Sequence, residues 1–455
     1  MEDDTIAAIA TPIGEGGISI VRISGPKAFE IADQIFQPDS GHPKPSEAPT
    51  HTVHHGRAVE DQQVLDEVML IVMRAPRTYT TQDTVEITTH GGMLVSSRVL
   101  ELALKQQARL ARPGEFTRRA FMNGRIDLTQ AEAVADIIRA RTDSALAAAS
   151  AQMQGRLLDE INALYERLTQ TLAHIEAHLD FPDEDLKPDD RARILAELEE
   201  ASRAVDRLIL TAREGKILRE GIRTAIVGKP NVGKSSLLNL LLGQDRAIVS
   251  ETPGTTRDTI EELATVSGIP LRIIDTAGIR SSKEAVEEEG IRRSQKALDQ
   301  AELALLVVDG SEKLTPEDRG LIERCRSRPF IVVINKIDIR QAFDKAYLGG
   351  LLSTAISTKT GAGLEDLKRT IAAHVWQGKT HESYHEVFVN MRHRESLALC
   401  KHHLFETAKG LQRKNSFELV AVDLRNALEA LAEVTGQTVD EDVLDKIFST
   451  FCIGK

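Results

Sequence analysis

Gly228-Lys229-Pro230-Asn231-Val232-Gly233-Lys234-Ser235 places two glycines, with four residues between them, ahead of Lys and Ser. This is the phosphate-binding P-loop form. The glycines let backbone N–H groups turn inward on phosphates, Lys234 supplies a point charge, and Ser235 offers a hydroxyl to Mg²⁺. Ahead of the loop, Arg223 to Val227 reads as a buried strand; behind it, Ser236-Leu237-Leu238-Asn239-Leu240-Leu241 opens a helix. Strand, glycine loop and helix in succession is the context that the motif requires. The stretch therefore predicts an α/β nucleotide-binding domain, with Asn231, Val232, Gly233, Lys234, Ser235 and Ser236 on the nucleotide.

The base is read from a second run. Asn335-Lys336-Ile337-Asp338 follows the apolar strand Phe330 to Ile334. A carboxylate at Asp338 accepts from both N1–H and the exocyclic amine of guanine; adenine has no N1–H and would leave that carboxylate unpaired. Between the two runs, Asp275-Thr276-Ala277-Gly278 follows the strand Leu271 to Ile274. There Asp275 reaches Mg²⁺ through water and Gly278 offers its N–H to the γ-phosphate. Ser357-Thr358-Lys359, after Leu352 to Ile356, stands where such domains place the last base contact. Each tetrapeptide alone is a weak signal. The four in this order, each at a strand end, imply a domain that binds and hydrolyses GTP.

The 455 residues allow about three domains. No apolar run approaches the ~18 residues of a membrane span, and the N-terminus lacks a basic region followed by an apolar core. Cys325, Cys400 and Cys452 are three in number and scattered, so no disulfide framework or metal quartet is implied and a cytoplasmic location is expected. The thirteen histidines show no metal-ligand spacing; His54-His55 and His402-His403 read as solvated polar positions. A net charge of −12 argues against binding nucleic acid through a global field. RNA contact then needs a local basic patch or a partner. Lys401 to Lys414, with Lys409, Arg413 and Lys414, is a candidate patch, and reads first as a solvated helix face.

Residues 1–118 read as β-rich, with strands at Ile18 to Ile23, Val68 to Met73 and Val85 to Ile87 and a proline-rich surface loop from Gln37 to Pro49. Helix takes over from Thr129. Thr129-Gln130-Ala131-Glu132 has the capping-box form, and an alanine-rich run to His178 carries helical spacing at Ile137, Ile138, Leu146, Met153, Leu157 and Leu158. Phe181-Pro182-Asp183 breaks it, and a second helix from about Asp189 to Glu214 follows Pro188. The nucleotide domain occupies 216–378. Beyond it, Glu382 to Phe451 returns to helical spacing, so one helical domain with the nucleotide domain inserted in it is expected.

The layout resembles the MnmE (TrmE) family along the whole chain. The residues that carry the resemblance are Gly254-Thr255-Thr256-Arg257-Asp258, the segment Thr11-Pro12, Gly16-Gly17 and Arg22-Ile23-Ser24-Gly25, Ala111-Arg112-Pro113-Gly114-Glu115-Phe116, and the terminal Phe451-Cys452-Ile453-Gly454-Lys455. It implies a multidomain α/β plus α fold: a folate-binding-like, dimerising N-terminal domain at 1–118, a discontinuous helical domain at 119–215 and 379–455, and an inserted Ras-like P-loop GTPase domain at 216–378. It further implies a homodimer that acts in bacterial wobble-uridine tRNA modification with a FAD-bearing partner, MnmG (GidA), the FAD belonging to the partner alone. Together they would place an aminomethyl or carboxymethylaminomethyl group on C5 of the uridine. A 5-formyl- or 5,10-methylene-tetrahydrofolate would be the one-carbon source.

Site residues follow from the same resemblance. Arg22, Glu86, Arg125 and Lys455 fall at the family's folate contacts; many members carry Lys where Arg125 stands. Guanidinium and ammonium groups suit the glutamate tail of a folate, and a carboxylate suits its aminopyrimidine ring. Ile279 follows Gly278 where many small GTPases carry the glutamine that orients water, and Glu287 matches the family's water-orienting carboxylate, with Glu288 and Glu289 beside it. No arginine is placed by motif as a finger in cis. The family instead holds K⁺ at the position of Asn231, with oxygens from Ser250, Thr252 and Thr255 in the loop Ser250-Glu251-Thr252-Pro253-Gly254, while Thr256 joins Ser235 on Mg²⁺. Cys452 is expected to be either a thiol delivered toward the folate site, with the Lys455 ammonium favouring thiolate, or an apolar packing residue. Cys325 and Cys400 are expected to be structural. A GTP-dependent ribosome-assembly or signalling switch would account for the nucleotide motifs, but not for the N-terminal domain or the Cys-x-Gly-Lys tail. A passive folate-binding scaffold would leave the nucleotide motifs unexplained.

Overall fold

The computed structural model describes residues 4–180, 188–244, 262–274, 295–343, 345–377, 387–413 and 416–455. The chain packs as two compact units. The first comprises 1–135, 153–201 and 399–455, the second 136–152 and 202–398.

The first unit is built on a seven-stranded sheet. Its strands are β1 (Ile6–Ile9), β2 (Gly16–Ser24), β3 (Phe36–Pro38), β4 (Thr52–Glu60), β5 (Gln63–Met73), β6 (Thr84–Gly91) and β7 (Arg109–Leu110), in the order β3-β4-β5-β6-β2-β1-β7. Alternation along β2 and β6 sorts the side chains by face. Val21, Ile23, Val85 and Ile87 point to a core closed by helices Ala28–Ile35 and Met93–Lys105, through Phe29, Ile31, Val99 and Leu102. Arg22 and Glu86 point the other way and are direct cross-strand partners in the β2–β6 register. On that second face Ile6 and Ala8 pack against Ala111 and Phe116.

The helices of this unit come from both sides of the inserted segment. Arg156–Asp180 packs against Phe417–Thr435, with Arg425 donating to Glu176 at 2.5 Å and the rings of His178 and Phe417 stacked at 6.2 Å. The helical domain is thus discontinuous in sequence. The last helix, Glu441–Ser449, seats Phe448 and the following Phe451 with Leu128, Ala131 and Ile126. The tail then reaches the start of helix Glu115–Met122, where the Phe116 N–H donates to the Lys455 carbonyl at 3.2 Å and the Gly114 N–H to that of Cys452 at 3.4 Å.

Several sequence expectations change. The alanine-rich run is three helices, Leu128–Arg139, Asp143–Met153 and Arg156–Asp180, because Ala140-Arg141-Thr142 and Gln154-Gly155 interrupt it. Ile138 and Leu146 face outward at 48% and 44% exposure, while Ala145 and Ala149 are buried. Alanine faces pack closely without leaving a hydrophobic signal. The capping box sits two residues earlier than Thr129: Asp127 accepts from the N–H groups of Thr129 (2.6 Å) and Gln130 (3.2 Å), and the Gln130 side chain accepts from Asp127 N–H at 3.1 Å. Thr129 itself is buried. His54 is not solvated; it is 7% exposed, its Nε2 bonded to Thr52 Oγ1 at 2.7 Å, and burial pushes its pKa down. The second long helix is Pro188–Leu210, followed by a separate Ala212–Glu220. Phe181-Pro182-Asp183 and Lys414 lie outside the described residues.

The second unit holds a six-stranded sheet in the order β13-β12-β11-β8-β10-β9. Here β8 is Ile222–Val227, β9 Glu262–Val266, β10 Ile269–Ile273, β11 Leu303–Asp309, β12 Phe330–Asn335 and β13 Ser353–Ala355. All pairs are parallel except β9–β10. In β11, Leu303, Leu305 and Val307 enter one core and Ala304, Leu306 and Val308 the other, which is why the strand reads as an unbroken apolar run.

Gly454 fixes the tail. Its φ is +94°, and an added Cβ would stand 2.4 Å from the Ile9 carbonyl. Gly454→Ala should therefore unseat the last residues, with a left-handed backbone cost of roughly 1–2 kcal/mol before any clash. Exchange of the Phe116 amide hydrogen should accelerate roughly ten-fold or more; unchanged exchange would contradict this account of the tail.

Candidate functional site

The loop after β8 enters helix Lys234–Gln244, as the motif requires. Gly233 has φ +102°, and a Cβ there would meet Asn335 Nδ2 at 2.2 Å, so the phosphate loop passes β12 at a distance only glycine allows. Lys234 Nζ donates to the carbonyls of Gly228 (2.8 Å) and Lys229 (2.6 Å), and burial lowers its pKa. Ser235 and Ser236 open the helix on its exposed side. Asn231 is exposed with φ +61°. Neighbouring Lys229 is turned away to Asp318 (2.9 Å) and Thr315 Oγ1 (3.1 Å). Asp318 also accepts from Thr315 N–H at 2.9 Å, in the capping box of helix Pro316–Cys325.

The base-side residues are tied to the phosphate side by one amide. Asn335, 1% exposed, donates through Nδ2 to the Val232 carbonyl at 2.8 Å and accepts from Thr358 N–H at 3.0 Å. Lys336 has φ +65° and pairs with Asp309 at 2.5 Å. Burial works against the Asp309 charge, but the bonds from Lys336 and Ser311 hold its carboxyl below the usual range. Asp338 is exposed, and the hydroxyl of buried Ser357 donates to it at 2.7 Å, holding its carboxyl below the usual range. Its remaining lone pairs face outward, as a carboxylate needs to accept from a base edge. Lys359 is exposed beside it.

Three of the expected nucleotide segments thus meet at the carboxyl ends of parallel strands, where α/β sheets bind ligands. Ser250, Glu251, Thr252, Pro253, Gly254, Thr255, Thr256, Asp275, Thr276, Ala277, Gly278 and Glu287 lie outside the described residues. The sequence reading passed over Lys229, Asp309 and Asp318. Two signals mark the acids: Asp309-Gly310 ends the apolar run of β11, and Thr315-Pro316-Glu317-Asp318 is itself a helix-start pattern.

On the second face of the N-terminal sheet, Arg22 Nε donates to Glu86 at 2.7 Å and its Nη1 to the Gly454 carbonyl at 3.0 Å. The Arg22 guanidinium lies 5.5 Å from the Phe116 ring. Arg125 lies 4.9 Å over the Tyr79 ring and donates to the Tyr79 carbonyl at 3.0 Å. Tyr79 also packs in the cluster that holds Phe116, and burial raises its pKa while the bond with Thr117 and the charges of Arg125 and Arg22 oppose the rise. The Lys455 carbonyl takes part in the tail contact; among the described residues its ammonium makes no hydrogen bond or ion pair. Cys452 is exposed, whereas Cys325 and Cys400 are buried and desolvation pushes their thiols to about 11 and about 12.

Asp338→Asn should weaken guanine-nucleotide binding about ten- to a hundred-fold, the usual loss for one charge-assisted partner. It should favour xanthine nucleotides, whose C2 oxygen accepts from the new amide. Titration with both nucleotides measures the switch, and an unchanged preference would remove Asp338 from the base contact.

Two family models match: the MnmE helical domain over residues 128–452 and the GTP-binding protein TrmE N-terminus over residues 5–125. The tRNA modification GTPase MnmE of Exiguobacterium sibiricum is 46% identical over 462 residues, covering 100% of both chains. That of Thermoanaerobacter pseudethanolicus is 45% identical over 458 residues, covering 99% of each. Among solved structures, Aquifex aeolicus Era bound to GDP·AlF₄⁻ is 29% identical, covering 40% of this chain and 65% of that one with a TM-score of 0.27. The G domain of T. maritima FeoB is 28% identical, covering 34% and 98% with a TM-score of 0.26. A phosphate loop, a guanine-side carboxylate and identity along the full length converge on one assignment: the chain belongs to the MnmE (TrmE) family of tRNA modification GTPases.

Proposed function

We propose that this tRNA-modifying GTPase is a cytoplasmic homodimer. With the FAD-dependent partner MnmG (GidA), it installs an aminomethyl or carboxymethylaminomethyl group on C5 of the wobble uridine. The observation that carries the folate part is the Arg22–Glu86 pair on the second face of the N-terminal sheet, bonded to Gly454 of the tail. GTP hydrolysis needs none of these groups. The donor set fits a reduced folate: a half-buried carboxylate for an aminopyrimidine edge, aromatic faces at Phe116 and Tyr79, and guanidinium groups for a glutamate tail. A bound 5-formyl- or 5,10-methylene-tetrahydrofolate would supply the one-carbon unit. Glu86 would accept from the ring, Arg22 would hold Glu86 in place, and Arg125 and Lys455 would face carboxylates. Cys452, exposed on the same tail, would present its thiol to the modification chemistry.

In the GTPase unit, Lys234 would balance phosphate charge, Ser235 and Thr256 would hold Mg²⁺, and Glu287 would orient the attacking water. Asn231, with Ser250, Thr252 and Thr255, would offer hard oxygen ligands to K⁺, taking the part that an arginine finger plays elsewhere. Two GTPase domains would close face to face with K⁺ bound.

Calorimetry with 5-formyltetrahydrofolate tests the folate reading. Arg22→Ala should lose roughly ten- to a hundred-fold in affinity while GTP turnover persists; equal affinity for the two proteins would sink the assignment. Turnover in KCl should exceed that in NaCl at matched ionic strength, and Asn231→Ala should abolish the difference. Equal rates in the two salts, or a K⁺ dependence surviving in the variant, would refute the cage.

A further inference from the structure

A cleft of about 500 Å³ opens beside Tyr79, between the loop after β5 and the turn Asn123-Gly124-Arg125. His51, Arg77, Tyr79, Thr81, Asn123 and Arg125 are among its walls, and no Asp or Glu is. In a chain of 69 acidic and 57 basic residues this is a local reversal of sign. Arg77 is exposed and, among the described residues, has no hydrogen bond or ion pair. Arg125 is held flat on Tyr79 by one N–H, with no carboxylate partner, so the rest of its fork is open. The backbone is held to shape as well. His51 (φ +60°) and Thr81 (φ +61°) both occupy the left-handed region, a conformation that persists in such residues where the surroundings impose it. The volume is that of a small-molecule site rather than a groove for duplex RNA.

We infer that this cleft binds the γ-linked oligoglutamate tail of a folate, with Arg77 and Arg125 as successive carboxylate contacts and His51 at the margin. The inference rests on the folate reading of the Arg22–Glu86 site. Tyr79 packs in the cluster that holds Phe116, over which Arg22 lies, and its own ring carries Arg125 and lines the cleft, so a ligand with its ring at Glu86 runs its anionic end past Arg125 toward Arg77. Each added glutamate brings one carboxylate and no new apolar surface. The gain is therefore electrostatic and screened by salt. Two exposed guanidinium–carboxylate pairs are together worth roughly five- to ten-fold in affinity.

Calorimetry on the full-length protein compares 5-formyltetrahydrofolate carrying one and four glutamates, at low and high salt. The tetraglutamate should bind roughly five- to ten-fold more tightly at low salt, and the ratio should fall toward one at high salt. Arg77→Gln should leave the monoglutamate affinity unchanged and reduce the ratio; Arg77→Glu should bring it to one or below. Equal affinities in the wild type, or a gain that survives Arg77→Glu, would overturn the inference and leave the folate site standing. Failure of the monoglutamate to bind at all would remove the folate reading and this inference with it. Loss of tRNA binding in Arg77→Glu with the glutamate ratio intact would assign the cleft to RNA instead.

Discussion

Arg22 carries three contacts at once: the Glu86 carboxylate across the β2–β6 ladder, the Gly454 carbonyl 432 residues along the chain, and the face of Phe116. The first unit depends on that arrangement because its chain leaves at 201 and returns only at 399. A segment that comes back after so long an excursion must be anchored by specific contacts. Phe448 and Phe451 supply apolar burial, and Arg22 and the backbone of Gly114 and Phe116 supply direction. The pair is only partly exposed, at 16% and 17%, so removing one member would leave the other charge poorly solvated. The residue proposed to orient a folate-binding carboxylate is thus the same one that closes the fold.

The GTPase unit shows a comparable economy. Asn335 joins the phosphate loop to the Ser357 loop, Asp318 joins a phosphate-loop lysine to a helix start, and Asp309 holds the lysine of the base motif. Each tie is a buried or half-buried polar group with its partner present, so the recognition elements are held in one geometry. Base discrimination benefits from such rigidity, since a misfitted base is then met by groups that cannot shift to accommodate it.

Sequence reading reached the parts of this architecture that depend on local pattern. The phosphate loop, the strands before it and before Asn335, and the strand character of Ile18 to Ile23 and Val85 to Ile87 follow from short-range pattern and were legible. The alanine-rich stretch was not, because Ala145 and Ala149 bury small side chains while the larger Ile138 and Leu146 are exposed, inverting the signal that periodicity relies on. Asp127 was passed over for Thr129 because both residue types cap helices, and only the observed hydrogen bonds decide between them. The contact of Arg22 with Gly454 has no sequence signature beyond resemblance. A carbonyl acceptor could come from any residue, and what singles out Gly454 is the lack of room for a Cβ near Ile9.

Charge raises a further constraint. With a net charge of −12 the protein offers RNA little long-range attraction, and the basic segment near residue 409 does not restore it. Lys409 is bound on both sides of the Glu406 carboxylate, at 2.8 and 2.7 Å, and lies 5.7 Å from the Phe405 ring, so its charge is neutralised within its own helix. Phe405 itself is 62% exposed. That segment behaves as a solvated helix face carrying an internal ion pair. Association with a polyanion then has to be won at short range, by oriented contacts or through a partner's surface, because a negative global field slows encounter and cannot hold a tRNA loosely while it searches for register.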